Sequence, residues 1–173
     1  VNLIASIPEM LNSVIGGVIS AGVPESSILV YEATRPGNGP TLPRFLQKTH
    51  ALYPGVVFRG PDTRDFYGDF PNQIIESSIQ PPLRICSDLC AAHHLIALPI
   101  VKAIRVDWGT SGALKLHHGT INEPQATHAL LYDGTAAVNP CVAINSNPHI
   151  RDKLRLIVAD GLYGMWTGRH FSG

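Results

Sequence analysis

The chain has 173 residues, 45% hydrophobic and only 15% charged, with 13 basic and 13 acidic side chains that cancel to a net charge of zero. That length suits a single domain, 1–173, with a real core, and that composition argues against disorder. The charge balance gives no broad basic face for nucleic acid, and no apolar run approaches the roughly 20 residues needed to span a bilayer. Cys86, Cys90 and Cys141 are too few for a disulfide framework.

The opening reads as a helix. Ser6, followed by Glu9, has the spacing of a capping box, and Pro8 fits the first turn, where its missing N–H costs nothing. Met10, Leu11, Val14, Ile15, Val18 and Ile19 follow at helical spacing, and Gly22 with Pro24 closes the segment. The run SILVYE (27–32) is a short strand, and the composition of 33–39 is that of a loop. Thr41 caps a second expected helix that ends near Tyr53, and 56–59 is another strand.

Residues 60–71 (GPDTRDFYGDFP) show neither helical nor strand period and read as a long surface loop. Short strands are expected at 74–79 and 83–86, then one helical turn over 87–92. The segment 94–101 (HLIALPIV) is an apolar strand that leads into Gly109-Thr110-Ser111-Gly112 and a short helix over 113–118. A helix is expected over 123–132 and a helix start at 148–153, while 133–147 gives no clear pattern. RLIVAD (155–160) is the final strand. Helices alternating with unalternating apolar strands predict an α/β fold, with helices packed in three layers over a largely parallel, or mixed, sheet.

Three expected strands end in charge: the first runs into Arg35, the second ends at Lys102 and the third at Asp160. Ligands of open α/β sheets bind beyond the carboxyl ends of the strands, so parallel neighbours would bring these three residues to one crevice. Thr110, Ser111 and Gly112 open a helix, where unpaired N–H groups suit an anion, and Lys115 stands one turn in. The alternative is a tight turn with Thr110 as its cap. Neither G-x-G-x-x-G nor the P-loop spacing occurs. Of the adjacent pair His117 and His118, at most one faces a site, and His117 is favoured. Cys86 and Cys90 with His93 or His94 have the spacing of a metal half-site, but the segment is apolar, and buried inert thiols are the better reading.

Two stretches resemble a known family. Leu98-Pro99-Ile100-Val101-Lys102 with Gly112-Ala113-Leu114-Lys115-Leu116-His117-His118-Gly119-Thr120-Ile121 resembles "LPVLK … ALKNhfGti". Ile150-Arg151-Asp152-Lys153 through Leu156, Asp160-Gly161-Leu162 and Gly164-Met165 resembles "iRdk.rL.i.Dgl.Gm". Both patterns are those of the domain of unknown function 362 (DUF 362) family, and the likeness covers most of the chain in the right order. Ile104 and Leu116 stand where that family often has His and Asn.

The resemblance implies an internal fragment of a longer bacterial or archaeal protein, incomplete at both ends, either cytoplasmic or exported by the twin-arginine route. The strand ends and the helix opening themselves predict a site built from Lys102, Lys115 and Asp160 as the chemical groups, with Arg35, Thr110, Ser111, Gly112, His117 and Gly161 around a small anionic ligand. Some members of the family carry ferredoxin-type clusters, but this chain has fewer than the four cysteines such a cluster usually needs. The expected function is binding of an anionic small molecule by a redox-linked enzyme domain. The alternatives are an electron-transfer accessory domain beside an iron–sulfur module, and a metal-dependent hydrolase or isomerase using Asp160, His117 and His94.

Overall fold

The fold starts from strong local signals at the amino end. In a computed structural model, the described residues are 7–31, 44–59, 66–69, 83–103, 110–133 and 139–161, and every structural statement below concerns these. Helix α1 runs Pro8–Ser20 and buries Leu11 and Ile15 along one stripe. It ends in a Schellman motif: Val23 N–H donates to the Val18 carbonyl and Gly22 N–H to that of Ile19. Gly22 has φ +95°, which L side chains rarely adopt, so glycine is needed there. Gly16 has a packing reason too, because a Cβ would come within 3.2 Å of the Tyr53 hydroxyl, which donates to the Asn12 carbonyl.

The start of α1 corrects the expected capping box. The cap residue is Ile7, one position later, without a side-chain cap of its own. Its backbone N–H instead donates to Asp160 Oδ2 at 3.0 Å, from 153 residues away. Ser6 lies outside the described residues.

A 3-10 turn, Glu25–Ser27, leads to β1 (Leu29–Tyr31), which pairs in parallel with β2 (Val57–Arg59). Helix α2 (Arg44–Leu52) crosses over between them, as a parallel pair requires. Leu11, Ile15, Leu46 and Val56 close a first core, with Ile19, Val30, Phe58 and Leu98 packed at its edge.

The expected loop 60–71 contains a strand. β3 (Phe66–Asp69) pairs antiparallel with β4 (Arg84–Cys86), and the register shifts between Tyr67 and Asp69. That irregularity breaks the alternation of side chains, which is why the run carries no period-two signature. The expected strand at 74–79 lies outside the described residues. Helix α3 (Ser87–Ala91) follows β4 directly. Lys153 Nζ reaches its last carbonyls, those of Leu89 at 3.0 Å and Cys90 at 2.7 Å, so a cation sits at the negative helix end.

The apolar run 94–101 is interrupted at Pro99, which has no N–H for a ladder. Its first part is β5 (Leu95–Ala97), parallel to β8 (Leu154–Ile157). A second, antiparallel pair joins β6 (Lys102–Ala103) to β7 (Thr110–Ser111). Beyond it lie α4 (Ala113–Leu116) and a 3-10 turn, His117–Thr120. Three helices follow: α5 (Pro124–Asp133), α6 (Pro140–Asn145) and α7 (Pro148–Arg151). Asn139 and Asn147 cap the last two, each accepting at 2.9 Å from the N–H two residues on, with Pro in the first turn.

The chain is therefore α/β, with helices and strands interspersed. Among the described residues the strands form four two-stranded pairs, two parallel and two antiparallel, so the pairing is mixed. The second core joins Leu83, Ile85, Cys86 and Leu89 to Ile121, Ala143, Ile144 and Ile150. It fastens the three carboxyl-terminal helices to β4 and α3. No helix among the described residues is long and apolar enough to cross a membrane.

Candidate functional site

The parallel β5–β8 pair is what brings the expected residues together. Its ladder runs past the strand ends: Val158 N–H donates to the Ala97 carbonyl, Asp160 N–H to that of Pro99, and Val101 N–H back to that of Asp160. Ile100 thus pairs with Asp160, and Lys102 follows two residues on. Lys102 is also paired with Ser111, and Ala103 with Thr110. Backbone pairing therefore gathers Lys102, Thr110, Ser111 and Asp160 at one end of the β5–β8 ladder, with Gly161 adjoining and Gly112 leading into α4. Arg35 lies outside the described residues.

Asp160 is 6% exposed, and its carboxylate holds the Ile7 N–H. Its first duty is thus structural, because it closes the positive end of α1 from the end of a strand. Asp160→Ala is expected to cost about 1–2 kcal/mol, the scale of a lost N-cap. Asp160→Asn keeps an acceptor oxygen and should lose less than half of that. Urea midpoints of the two variants test it, and equal losses would show that the charge, not the acceptor, matters.

The second half of the expected site lies on α4 and the turn that follows it, packed against α6. Helix α4 has only four residues, and the chain tightens at once into the 3-10 turn that carries both histidines. Asn145 Nδ2 donates to the Leu114 carbonyl at 2.7 Å and so ties α4 to α6. Lys115 is partly exposed and lies within electrostatic reach of Cys141 on α6.

The sequence favours His117 for a site, whereas the structure gives the polar neighbours to His118. His117 is 5% exposed, and among the described residues neither ring nitrogen has a hydrogen-bond partner. Burial pushes its pKa from 6.5 down to about 4, so it is neutral at pH 7. His118 is 3% exposed, with Nδ1 at 3.2 Å from Thr127 Oγ1 and Nε2 at 3.2 Å from Cys141 Sγ. Cys141 is partly exposed. Burial raises its thiol above the ordinary value, against the pull of the Lys115 ammonium.

Sequence reasoning missed this group. Cys141 and His118 stand 23 residues apart, and His118 and Thr127 nine apart. Only the helical cap at Asn139-Pro140, which places Cys141 in a first turn, was there to be read.

Cys86 is fully buried at the end of β4, and burial raises its pKa, as expected of an inert thiol. His93 and His94 are exposed. Among the described residues no three His, Cys, Asp or Glu side chains come together as a metal-binding group, and Asp160, His117 and His94 form none. No protein-family model, curated protein or solved structure matches the chain.

Proposed function

We propose that this chain binds an anionic small molecule beyond the carboxyl ends of β5 and β8, as the binding domain of a redox-linked enzyme of the DUF 362 kind. The observation that carries this reading is the extended β5–β8 ladder. It sets Lys102 two residues beyond the Ile100–Asp160 bridge and directly opposite Ser111. A lysine at the carboxyl ends of strands is a common way to hold phosphate or carboxylate, since its hydrogen bonds are strengthened by charge. Lys115, one turn past Gly112, adds a second cation.

Calorimetric titration with orthophosphate and with succinate tests the proposal. Saturable binding of at least one anion is expected. Lys102→Ala and Lys115→Ala should each weaken it by about tenfold, the loss of roughly 1.4 kcal/mol in one charge-assisted contact. Absence of binding by the wild-type protein, or unchanged affinity in both variants, sinks the reading.

A further inference from the structure

Cys141, His118 and Thr127 form a chain of contacts that the anion site does not use. The direction of each proton in that chain follows from the hydrogen bonds. Thr127 has one hydroxyl proton, and it is engaged by backbone carbonyls, that of Pro124 at 3.0 Å and that of Glu123 at 3.5 Å. Thr127 Oγ1 can then serve His118 only as an acceptor. The matching tautomer donates from Nδ1 to Thr127, and Nε2 of the neutral ring is then the acceptor. Cys141 Sγ lies 3.2 Å from that nitrogen, so the thiol proton points at it.

This is the arrangement an activated thiol needs: a nucleophile, a base in reach, and a third group that holds the base in one tautomer. The thiol remains protonated at rest, because burial raises its pKa. His118 therefore acts as general base during attack and does not hold a preformed thiolate.

The surroundings narrow the electrophile. Leu114, Leu116 and Val142 are 60%, 39% and 50% exposed on the two helices that carry Lys115 and Cys141. The helices that hold the partly exposed thiol and its neighbouring turn thus present exposed apolar side chains. Cys86 is fully buried, and Cys90 sits beside the Lys153 that caps α3.

We propose that Cys141 is a nucleophile, with His118 as its general base and Thr127 as a positioning residue, which takes an apolar acyl group from an ester or thioester. In the first step the Cys141 proton passes to His118 Nε2 and Sγ bonds to the acyl carbon. The bond from that carbon to the alcohol or thiol breaks, and the leaving group takes the proton from His118. Water then cleaves the acyl–sulfur bond and restores the free thiol. The inference stands apart from anion binding, since it needs neither Lys102 nor a bound anion.

The test is acylation of the full chain by p-nitrophenyl acetate and p-nitrophenyl hexanoate. Nitrophenolate release gives the rate, and peptide mass spectrometry gives the acylated residue. Cys141 in the folded protein should acylate at least ~10-fold faster than the same residue in the urea-unfolded chain, within the range of general-base assistance. An inert buried thiol reacts more slowly when folded, so an equal or slower rate overturns the proposal without any variant. His118→Asn keeps a donor towards Thr127 but no base, and should slow acylation by ~100-fold. Thr127→Ser should retain the rate that Thr127→Val loses, with KM little changed; equal rates in those two variants remove Thr127 from the scheme. Hexanoate should outpace acetate, and the reverse order overturns the apolar acyl preference.

Discussion

Ile121→Ala is expected to lower the unfolding free energy by about 2–5 kcal/mol, the range for emptying a buried isoleucine site. Ile121 is completely buried and forms an antiparallel bridge with Ile85, which is also completely buried. Two hydrogen bonds flank that bridge: Asn122 N–H donates to the Arg84 carbonyl at 3.2 Å, and Arg84 N–H to Asn122 Oδ1 at 2.7 Å. The backbone around the site is pinned and cannot close over a void, which places the cost in the upper half of the range. A domain of ordinary stability has only about 5–15 kcal/mol in total. Ile121→Val removes one methylene and should cost about 0.5–1.5 kcal/mol. Urea unfolding of both variants decides it, and a loss below 1 kcal/mol in Ile121→Ala would mean that the site collapses freely.

The position of Ile121 also explains why such a loss would reach the thiol. Ala143 and Ile144 on α6 share its core cluster, and Cys141 opens the same helix. Tyr31 donates to the Gly119 carbonyl at 3.0 Å, which fastens the histidine turn to β1. Loosening this strip frees α6 and the 3-10 turn from each other, and the Cys141–His118 separation depends on both.

What could be read from the sequence was governed by range. Helix α1 was legible because its apolar spacing and its Gly22 stop are both local. Its cap was misplaced by one residue because the acceptor, Asp160, comes from the far end of the chain. The strand β3 was hidden by a register shift that breaks alternation. Helix α6 was missed within 133–147, although Asn139-Pro140 carries the same cap-and-proline signal as Asn147-Pro148, which stands before the helix start expected at 148–153. A composition rich in small residues masked it.

The two halves of the site differ in the same way. Lys102 and Asp160 could be proposed together because strand ends in a parallel fold meet by rule, and Thr110 and Ser111 because they precede a helix, although it is an antiparallel pairing with β6 that brings them to Lys102. His118, Thr127 and Cys141 meet through packing of α5, α6 and a 3-10 turn, and no sequence period encodes that. The motif around Ile150 to Lys153 is instead explained by packing. Ile150 is fully buried, Lys153 caps α3, and Arg151 and Asp152 form an exposed pair of the kind that contributes little to stability.

Acid should destabilise this protein through His117. In the unfolded chain its imidazole titrates near the ordinary 6.5, and in the folded protein burial holds it down to about 4. Above pH 6.5 the ring is neutral in both states, so the full stability is present there. As pH falls from 6.5 towards 4, the unfolded chain binds a proton that the folded protein refuses, and stability falls by about 1.4 kcal/mol per pH unit. The total by pH 4 is about 3 kcal/mol, a large share of an ordinary domain's stability. Both ring nitrogens lack hydrogen-bond partners among the described residues, so His117→Met replaces an unsatisfied polar ring with an apolar chain that loses nothing there. The variant should match or exceed the wild type at pH 7.5 and gain on it steadily below 6.5. Urea midpoints of the pair at pH 7.5, 6, 5 and 4 measure that difference, and parallel curves would mean that water or a proton reaches the ring. Two adjacent histidines then have opposite parts: His118 keeps its ring bonded to Thr127 and Cys141, while His117 stays buried at the start of the 3-10 turn only as long as it is neutral.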